Sequence, residues 1–251
     1  MKLLEMEDIT RVFELGGVKN PVLKGISFSI EEGEFVTVMG QSGSGKSTLL
    51  YRVSGIDPEG GGRILLKGED LSKKSQDEMA DLRLKRMGFV FQNNYLLKNL
   101  NILDNIALPA LKGGMSKGEA TARAQELMEE LGIGHIGAHP IQKVSGGQLQ
   151  RAAVCRAMIN GPDILFADEP TGALNSKNSQ EVMDIFNELN GWGTTVMMVT
   201  HDAKIAAQSE RIIYLKDGRL EDELHLGKDE GPTLRAQREE RTHRWLMEKG
   251  F

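Results

Sequence analysis

The nine residues Gly40-Gln41-Ser42-Gly43-Ser44-Gly45-Lys46-Ser47-Thr48 constrain the fold of this chain more than any other stretch. The apolar run Phe35–Met39 precedes them and the leucine-containing segment Lys46–Ser54 follows. The chain must therefore pass from a buried strand, through a glycine-rich turn, into a helix. Gly40, Gly43 and Gly45 leave backbone N–H groups bare to form a nest around an anion, and the following helix adds its positive dipole end. Lys46 sets one cation against the β- and γ-phosphates of a nucleoside triphosphate, and the Ser47 hydroxyl is suited to ligate Mg²⁺ beside them. The pattern G-x-x-x-x-G-K-[ST] is met without a mismatch, and it predicts a nucleoside triphosphate site.

The rest of the chain supplies the scaffold such a loop needs. Ile26–Ile30, Arg63–Leu66, Gly88–Phe91, Asp163–Ala167, Thr194–Val199 and Arg211–Lys216 read as strands, several of them nearly all apolar. Ser75–Arg86, Ser176–Asn190 and Ala203–Gln208 read as helices between them. The alternation predicts an α/β fold with a largely parallel core sheet. Leu3–Phe13, Gly16-Gly17 and Val22–Ile30 predict an antiparallel start, and Asp217-Gly218 predicts a late hairpin between Arg211–Lys216 and Arg219–Leu224. Between Asn101 and about Asn160 only helices are expected, over Asn101–Lys112, Ser116–Leu131 and Gly147–Asn160. This reads as a helical subdomain inserted in the core. After Leu226 comes a short polar linker, GKDEGP, and then a helix over Thr233–Lys249. That helix carries Arg235/Glu239 and Glu240/Arg244 four apart and is expected to pack through Leu234, Trp245 and Leu246.

Composition excludes several classes. The formal net charge of −5 argues against a nucleic-acid coat, which needs a basic face. A membrane-spanning helix needs about 18 apolar residues in a row, and the longest runs here are as short as Ile164–Ala167 and Val196–Val199. With MKLLEMEDIT at its start and a single cysteine, the chain is expected in the cytoplasm. His135 and His139 stand four apart between Gly134 and Gly137 with no third ligand near, so metal binding is not expected there. Cys155 and Met197-Met198 read as core.

Two further motifs carry chemistry. The run Ile164–Ala167 ends in the adjacent carboxylates Asp168 and Glu169. Asp168 is suited to hold Mg²⁺ through its water shell, and Glu169 to orient and deprotonate an attacking water. Ser145-Gly146-Gly147-Gln148 opens the helix over Gly147–Asn160. It reads equally as a capping box or as a second anion site at a helix N-terminus.

Val144-Ser-Gly-Gly-Gln148 followed by Leu-Gln-Arg151 resembles the signature motif of ATP-binding-cassette (ABC) ATPases. The family's other motifs follow in order: Gly40–Thr48 as Walker A, Gln92 as the Q-loop, Ile164–Glu169 as Walker B, Gly172-Ala-Leu-Asn175 as the D-loop and His201 as the switch histidine. The match runs from about residue 1 to 225, so an ABC ATPase domain over 1–226 is expected. Its helical subdomain is expected at about 96–160, with linker and C-terminal helix over 227–251. The resemblance implies a P-loop core resembling RecA, an antiparallel β subdomain and an inserted α-helical signature subdomain. It also implies a head-to-tail dimer, with each ATP between Gly40–Thr48 of one copy and Ser145–Gln148 of the other. In that arrangement Phe13 would stack on adenine, Gln92 would contact Mg²⁺ and the water, and His201 would hydrogen-bond the γ-phosphate. Asn175 departs from the usual aspartate, keeping the shape and losing the charge, and Val144 replaces the usual leucine.

Gly88–Gln92, Asn105–Pro109 and Ala167–Leu174 resemble the subgroup of macrolide-export, lipoprotein-release and antimicrobial-peptide-export ATPases. The subgroup implies a transmembrane permease partner with few helices and a large extracytoplasmic domain, driven by mechanotransmission from the inner face of the membrane. The alternatives are a regulatory ATPase that signals through its permease to cell-wall enzymes or a sensor kinase, and a soluble iron–sulfur-assembly ATPase.

Overall fold

The computed structural model describes residues 1–229 and 231–251; Glu230, within the expected linker, lies outside the described residues. The chain divides into two compact units, residues 1–79 with 190–251, and residues 80–189.

The first unit begins with an antiparallel ribbon, β1 (Lys2–Leu15) and β2 (Val18–Glu31). Gly16 and Gly17 join them at φ of 58° and 81°, the positive pair that a tight hairpin turn requires. β3 (Phe35–Met39) follows, then β4 (Gly61–Leu66) and β5 (Glu69–Asp70), and the antiparallel sheet runs β2-β1-β4-β5. After residue 190 the chain adds β8 (Thr195–Val199), β9 (Arg211–Lys216) and β10 (Arg219–His225). These lie beside β3 in the order β10-β9-β3-β8, with β3 parallel to both neighbours and β10 returning through the expected Asp217-Gly218 turn. Every residue of β3 and β8 is buried, as continuous apolar runs covered on both faces must be.

The helices of this unit are α1 (Lys46–Val53), the start of α2 (Gln76–Arg86), α7 (Ala203–Ala206) and α8 (Pro232–Glu248). α7 is shorter than the expected Ala203–Gln208. Ser209 Oγ donates to the Ala206 carbonyl at 2.8 Å and ties off the turn into β9. α8 docks by two devices. Leu246 is buried in one cluster with Met39, Tyr214 and Leu224, and Trp245 packs against it. The buried Arg238 guanidinium donates to the carbonyls of Ala207 at 2.8 Å and Ser209 at 2.7 Å, and also to Leu226, Gly227 and Lys228. Arg244 pairs with Glu240 as expected, whereas Arg235 turns to Asp229 at 3.1 Å.

The second unit holds a parallel pair, β6 (Met87–Phe91) and β7 (Ile164–Asp168), with α3 (Ile102–Lys112), α4 (Lys117–Glu130), α5 (Gly146–Met158) and α6 (Ser176–Gly191). The last turn of α6 passes into the first unit. Between 101 and 160 the described residues form no strand, only a single bridge from Asn101 to Pro140. The caps explain the helix starts. Asn101 Oδ1 accepts from Asp104 N at 2.7 Å, and Ser116 with Glu119 closes a capping box at α4. α5 ends two residues earlier than expected, with Asn160 donating to the Leu84 carbonyl at 2.8 Å and Gly161 at φ 61°. No helix among the described residues is long and apolar enough to cross a membrane.

Candidate functional site

In the first unit the phosphate loop leaves β3 at Met39 and enters α1 at Lys46. Gly40 lies so close to β9 that a Cβ there would stand 2.3 Å from the Leu215 carbonyl oxygen and 2.5 Å from Ser44 Oγ. Gly45 is the N-cap of α1 at φ 100°, and it brings no side chain to cap the helix. No side chain of the N-cap therefore competes with an anion for this helix start. Lys46 is buried, with Nζ donating to the carbonyls of Gly40 at 2.8 Å and Gln41 at 3.0 Å. Gln41, Ser42 and Gly43 are exposed, and Ser47 and Thr48 are half-buried. Phe13 is half-buried on β1, with the Arg11 guanidinium 4.2 Å over its ring. Asp57 and Glu59 fix that guanidinium at 2.7 and 2.8 Å, so one ring face is taken by a cation. His201 follows β8 in a turn made by its neighbours. Thr200 Oγ1 accepts from Asp202 N at 3.1 Å, and Asp202 caps α7 by accepting from Lys204 N at 2.8 Å. That leaves His201 exposed.

In the second unit β6 and β7 are in register, with Phe91 opposite Asp168, so Gln92 and Glu169 step off the two strand ends at one level. Asp168 is buried at 9 % exposure and Glu169 is half-buried. Glu169 takes φ 47°, a left-handed conformation that costs a non-glycine residue about 1 kcal/mol or more and is found at functional turns. The turn is closed by Gly172 N donating to the Glu169 carbonyl at 3.0 Å. A Cβ on Gly172 would stand 2.9 Å from Gln92 Nε2, so the D-loop glycine is bare where the Gln92 side chain crosses it.

The Ser145 motif forms a helix cap. Ser145 Oγ accepts from Gln148 N, and Gln148 Oε1 accepts from Ser145 N at 3.1 Å, so the capping box is complete. Ser145 and Gly146 remain exposed at the N-terminus of α5. Gly147 is buried, with a Cβ there set to meet the Asn178 side chain at 3.1 Å. Asn175 caps α6, its Oδ1 accepting from Asn178 N at 2.9 Å, so the lost charge leaves the hydrogen bond in place.

Residues with no role assigned from sequence hold the segment around Gln92. From α5, Gln150 Nε2 donates to the Phe91 carbonyl at 3.1 Å, and Arg156 donates to the Asn94 and Tyr95 carbonyls, both at 2.7 Å. Burial lowers the Arg156 pKa, yet the guanidinium keeps two carbonyl partners. Asn105, 1 % exposed on α3, accepts from Leu97 N at 2.7 Å and donates to the carbonyls of Leu97, Leu100 and Asn101. Polar side chains aimed at irregular backbone are the signal, and for Gln150 and Arg156 only long-range contacts reveal it. Cys155 is buried on the same helix, and burial pushes its thiol up to about 12, which suits packing rather than reactivity. His135 lies in a short turn with its ring 3.4 Å from Gln148 Nε2, and no group of three metal-binding side chains occurs among the described residues.

The chain matches the family model described as ABC transporter over residues 23–172. It is 44 % identical over 220 residues to the macrolide export ATP-binding/permease protein MacB of Aggregatibacter actinomycetemcomitans, covering 88 % of this chain and 34 % of that protein. It is 45 % identical over 220 residues to MacB of Neisseria gonorrhoeae, with the same coverage. The chain therefore spans about a third of the length of these relatives. Among solved structures, the dimeric post-hydrolysis state of the ATP-binding cassette MJ0796 bound to ADP and Pi superposes with a TM-score of 0.83 at 37 % identity. That superposition covers 90 % of this chain and all of MJ0796. CbiO1 from Clostridium perfringens, part of the ABC transporter complex cbiONQ, gives 0.79 at 27 % identity over 89 % of this chain and 88 % of its own. A bare phosphate loop, paired carboxylates at a strand end and this likeness over whole cassettes agree: the chain belongs to the ABC transporter family, with the fold of the family's ATP-binding cassette, its ATPase component.

Proposed function

We propose that this chain is the ATP-hydrolysing subunit of a membrane ABC transporter, acting as a head-to-tail dimer on a permease of the macrolide-export and lipoprotein-release type. The observation that carries the reading is the phosphate loop. Gly40 admits no Cβ, Gly45 starts α1 in a left-handed conformation with no side-chain cap, and Lys46 is held buried at the loop. These are the features that binding a triphosphate at a helix N-terminus demands.

In this reading Gly40–Thr48 hold the phosphates, with Lys46 against the β- and γ-oxygens. Ser47 and Gln92 would hold Mg²⁺ and Asp168 its water shell, all three offering oxygen donors of the hard kind that cation prefers. When bound, Mg²⁺ neutralises charge that develops on the β- and γ-phosphates. Glu169 takes a proton from the attacking water, a role worth roughly 10²–10⁴ in rate. His201 bonds the γ-phosphate and Phe13 offers adenine its remaining ring face. Ser145, Gly146, Gly147 and Gln148 of the second copy complete each site, which accounts for a cap whose first two residues stay exposed.

The permease reading is supported by the second unit's own surface. Tyr95 and Leu97 after Gln92, Leu108 and Leu111 on α3, and Met115 beyond it are exposed apolar side chains. Tyr95 and Leu97 lie on the segment that Asn105 and Arg156 hold in place, as part of a docking face for an apolar partner would. The permease would set the chain on the inner face of the membrane. The MacB relatives are named as ATP-binding/permease proteins, which pairs the two functions in one chain.

Two experiments test this. Lys46→Ala should lose ATP affinity in a nucleotide-binding assay, and undiminished binding would sink the phosphate-loop argument. Purification of the tagged chain from membranes should bring down a permease, and recovery of dimers alone at detergent levels that preserve transporters would overturn the partner.

A further inference from the structure

Gln41, the second residue of the phosphate loop, is tied to the far end of the chain. Its Nε2 donates to the Gly250 carbonyl at 3.2 Å, while its own carbonyl accepts from Lys46 Nζ at 3.0 Å. One residue thus joins the loop lysine to the segment that follows α8. Other contacts seat that segment. Leu246 is 2 % exposed in the cluster that includes Met39, the residue immediately before the loop. Tyr214 is the register partner of Met39 across β3 and β9, and the rings of Trp245 and Phe251 meet it edge-on at 6.0 and 6.2 Å. Trp245 Nε1 donates to Asp222 at 3.1 Å, and Lys249 Nζ pairs with the same carboxylate. The whole arrangement lies outside residues 23–172, which the family model matches, except for Met39 and the loop itself.

We propose that α8 and residues 249–251 form a positioning element for the phosphate loop, acting through Gln41 and the Met39–Tyr214 pair. The proposal rests on the reading of that loop as the ATP site. A hydrogen bond or an aromatic edge contact of this kind is worth about three- to tenfold in an equilibrium constant. Releasing the segment lets the loop populate other conformations, and nucleotide affinity falls by the fraction of time spent in them. The groups that perform hydrolysis are untouched. The effect belongs on KM and not on kcat.

The test uses the full chain. Phe251→Ala should raise KM for ATP about fivefold with kcat unchanged, and Phe251→Tyr, which keeps the ring, should restore it. Melting curves of both variants confirm that each is folded. In a Gln41→Ala background Phe251→Ala should add less than it does alone, because both changes break one connection. Lys46→Ala separates the two levels. If that variant binds ATP normally, the site reading itself fails. If it loses ATP while Phe251→Ala and Trp245→Ala leave KM where it was, the positioning role alone fails. A fall in kcat shared by Phe251→Ala and Phe251→Tyr, or full additivity with Gln41→Ala, would also overturn the proposal.

Discussion

Tyr214 presents a cost that a single atom can remove. The side chain is fully buried on β9, and its hydroxyl has no hydrogen-bond partner among the described residues. An orphan hydroxyl in the core costs about 1–3 kcal/mol in desolvation. Tyr214→Phe keeps the ring that Trp245 and Phe251 contact. The variant should be more stable than the parent by about 1 kcal/mol, read as a higher urea midpoint at constant slope. A lower midpoint would mean that the hydroxyl is satisfied and useful. At the same scale, Asn175 shows how a departure from a family pattern can be conservative. Its Oδ1 makes the cap of α6, a contact worth about 1 kcal/mol that aspartate would also make.

Elements were legible where the sequence bounds them locally. β3 and β9 begin and end where the runs Phe35–Met39 and Arg211–Lys216 do, because Gly40 closes one and Asp217-Gly218 the other. The phosphate loop and the paired carboxylates were legible for the same reason, each being a short pattern read against its flanks, whereas the flanks of Ser145 left cap and anion site equally open. β1 and β2 run longer than their apolar stretches, 14 residues each, because register shifts near Met6, Ile9 and Val12 break the period-two alternation. β5 has two residues and no pattern to read. Gln150 and Arg156 were not legible as supports of the segment around Gln92, since their partners lie 59 to 62 positions away. The docking of α8 is another such contact, and it carries a pH signature. The Asp222 carboxyl is held below the usual aspartate range, chiefly by its bond to Lys249, with the Glu223 N–H and the Trp245 indole adding to it. A depressed carboxyl contributes stability above its unfolded value, lost as pH falls through the folded one. Urea midpoints of the parent and Asp222→Asn should therefore differ at pH 7 and converge as pH falls below the usual aspartate range. A gap that persists unchanged to low pH would assign the loss to shape and not to charge.

In the proposed dimer both helix starts of the molecule would be used. The chain offers anion-suited helix starts at α1 and at α5, the first uncapped and lined by glycine, the second capped by Ser145 with Ser145 and Gly146 still exposed. A site that hydrolyses ATP needs donors on the side of the phosphates away from Lys46, where charge develops in the transition state. Supplying them from a second copy uses both helix starts at once, and the MJ0796 cassette, 37 % identical, has been solved as a dimer with ADP and Pi. ATP would then act as an interface ligand, and the dimer would separate once the products of hydrolysis leave. Glu169→Gln separates binding from that release, because the amide cannot take the proton from water but keeps the shape of the turn at φ 47°. With Mg²⁺ and ATP this variant should bind nucleotide normally, slow hydrolysis at least about 100-fold and elute at twice the monomer mass in size-exclusion chromatography. The parent should show the larger species only transiently. A variant that binds ATP and stays monomeric would remove Ser145–Gln148 of the second copy from the site, and one that turns over at the parental rate would remove Glu169 as the base. Adding Lys46→Ala to Glu169→Gln should abolish the larger species, since a dimer held by nucleotide cannot outlast the loss of its binding loop.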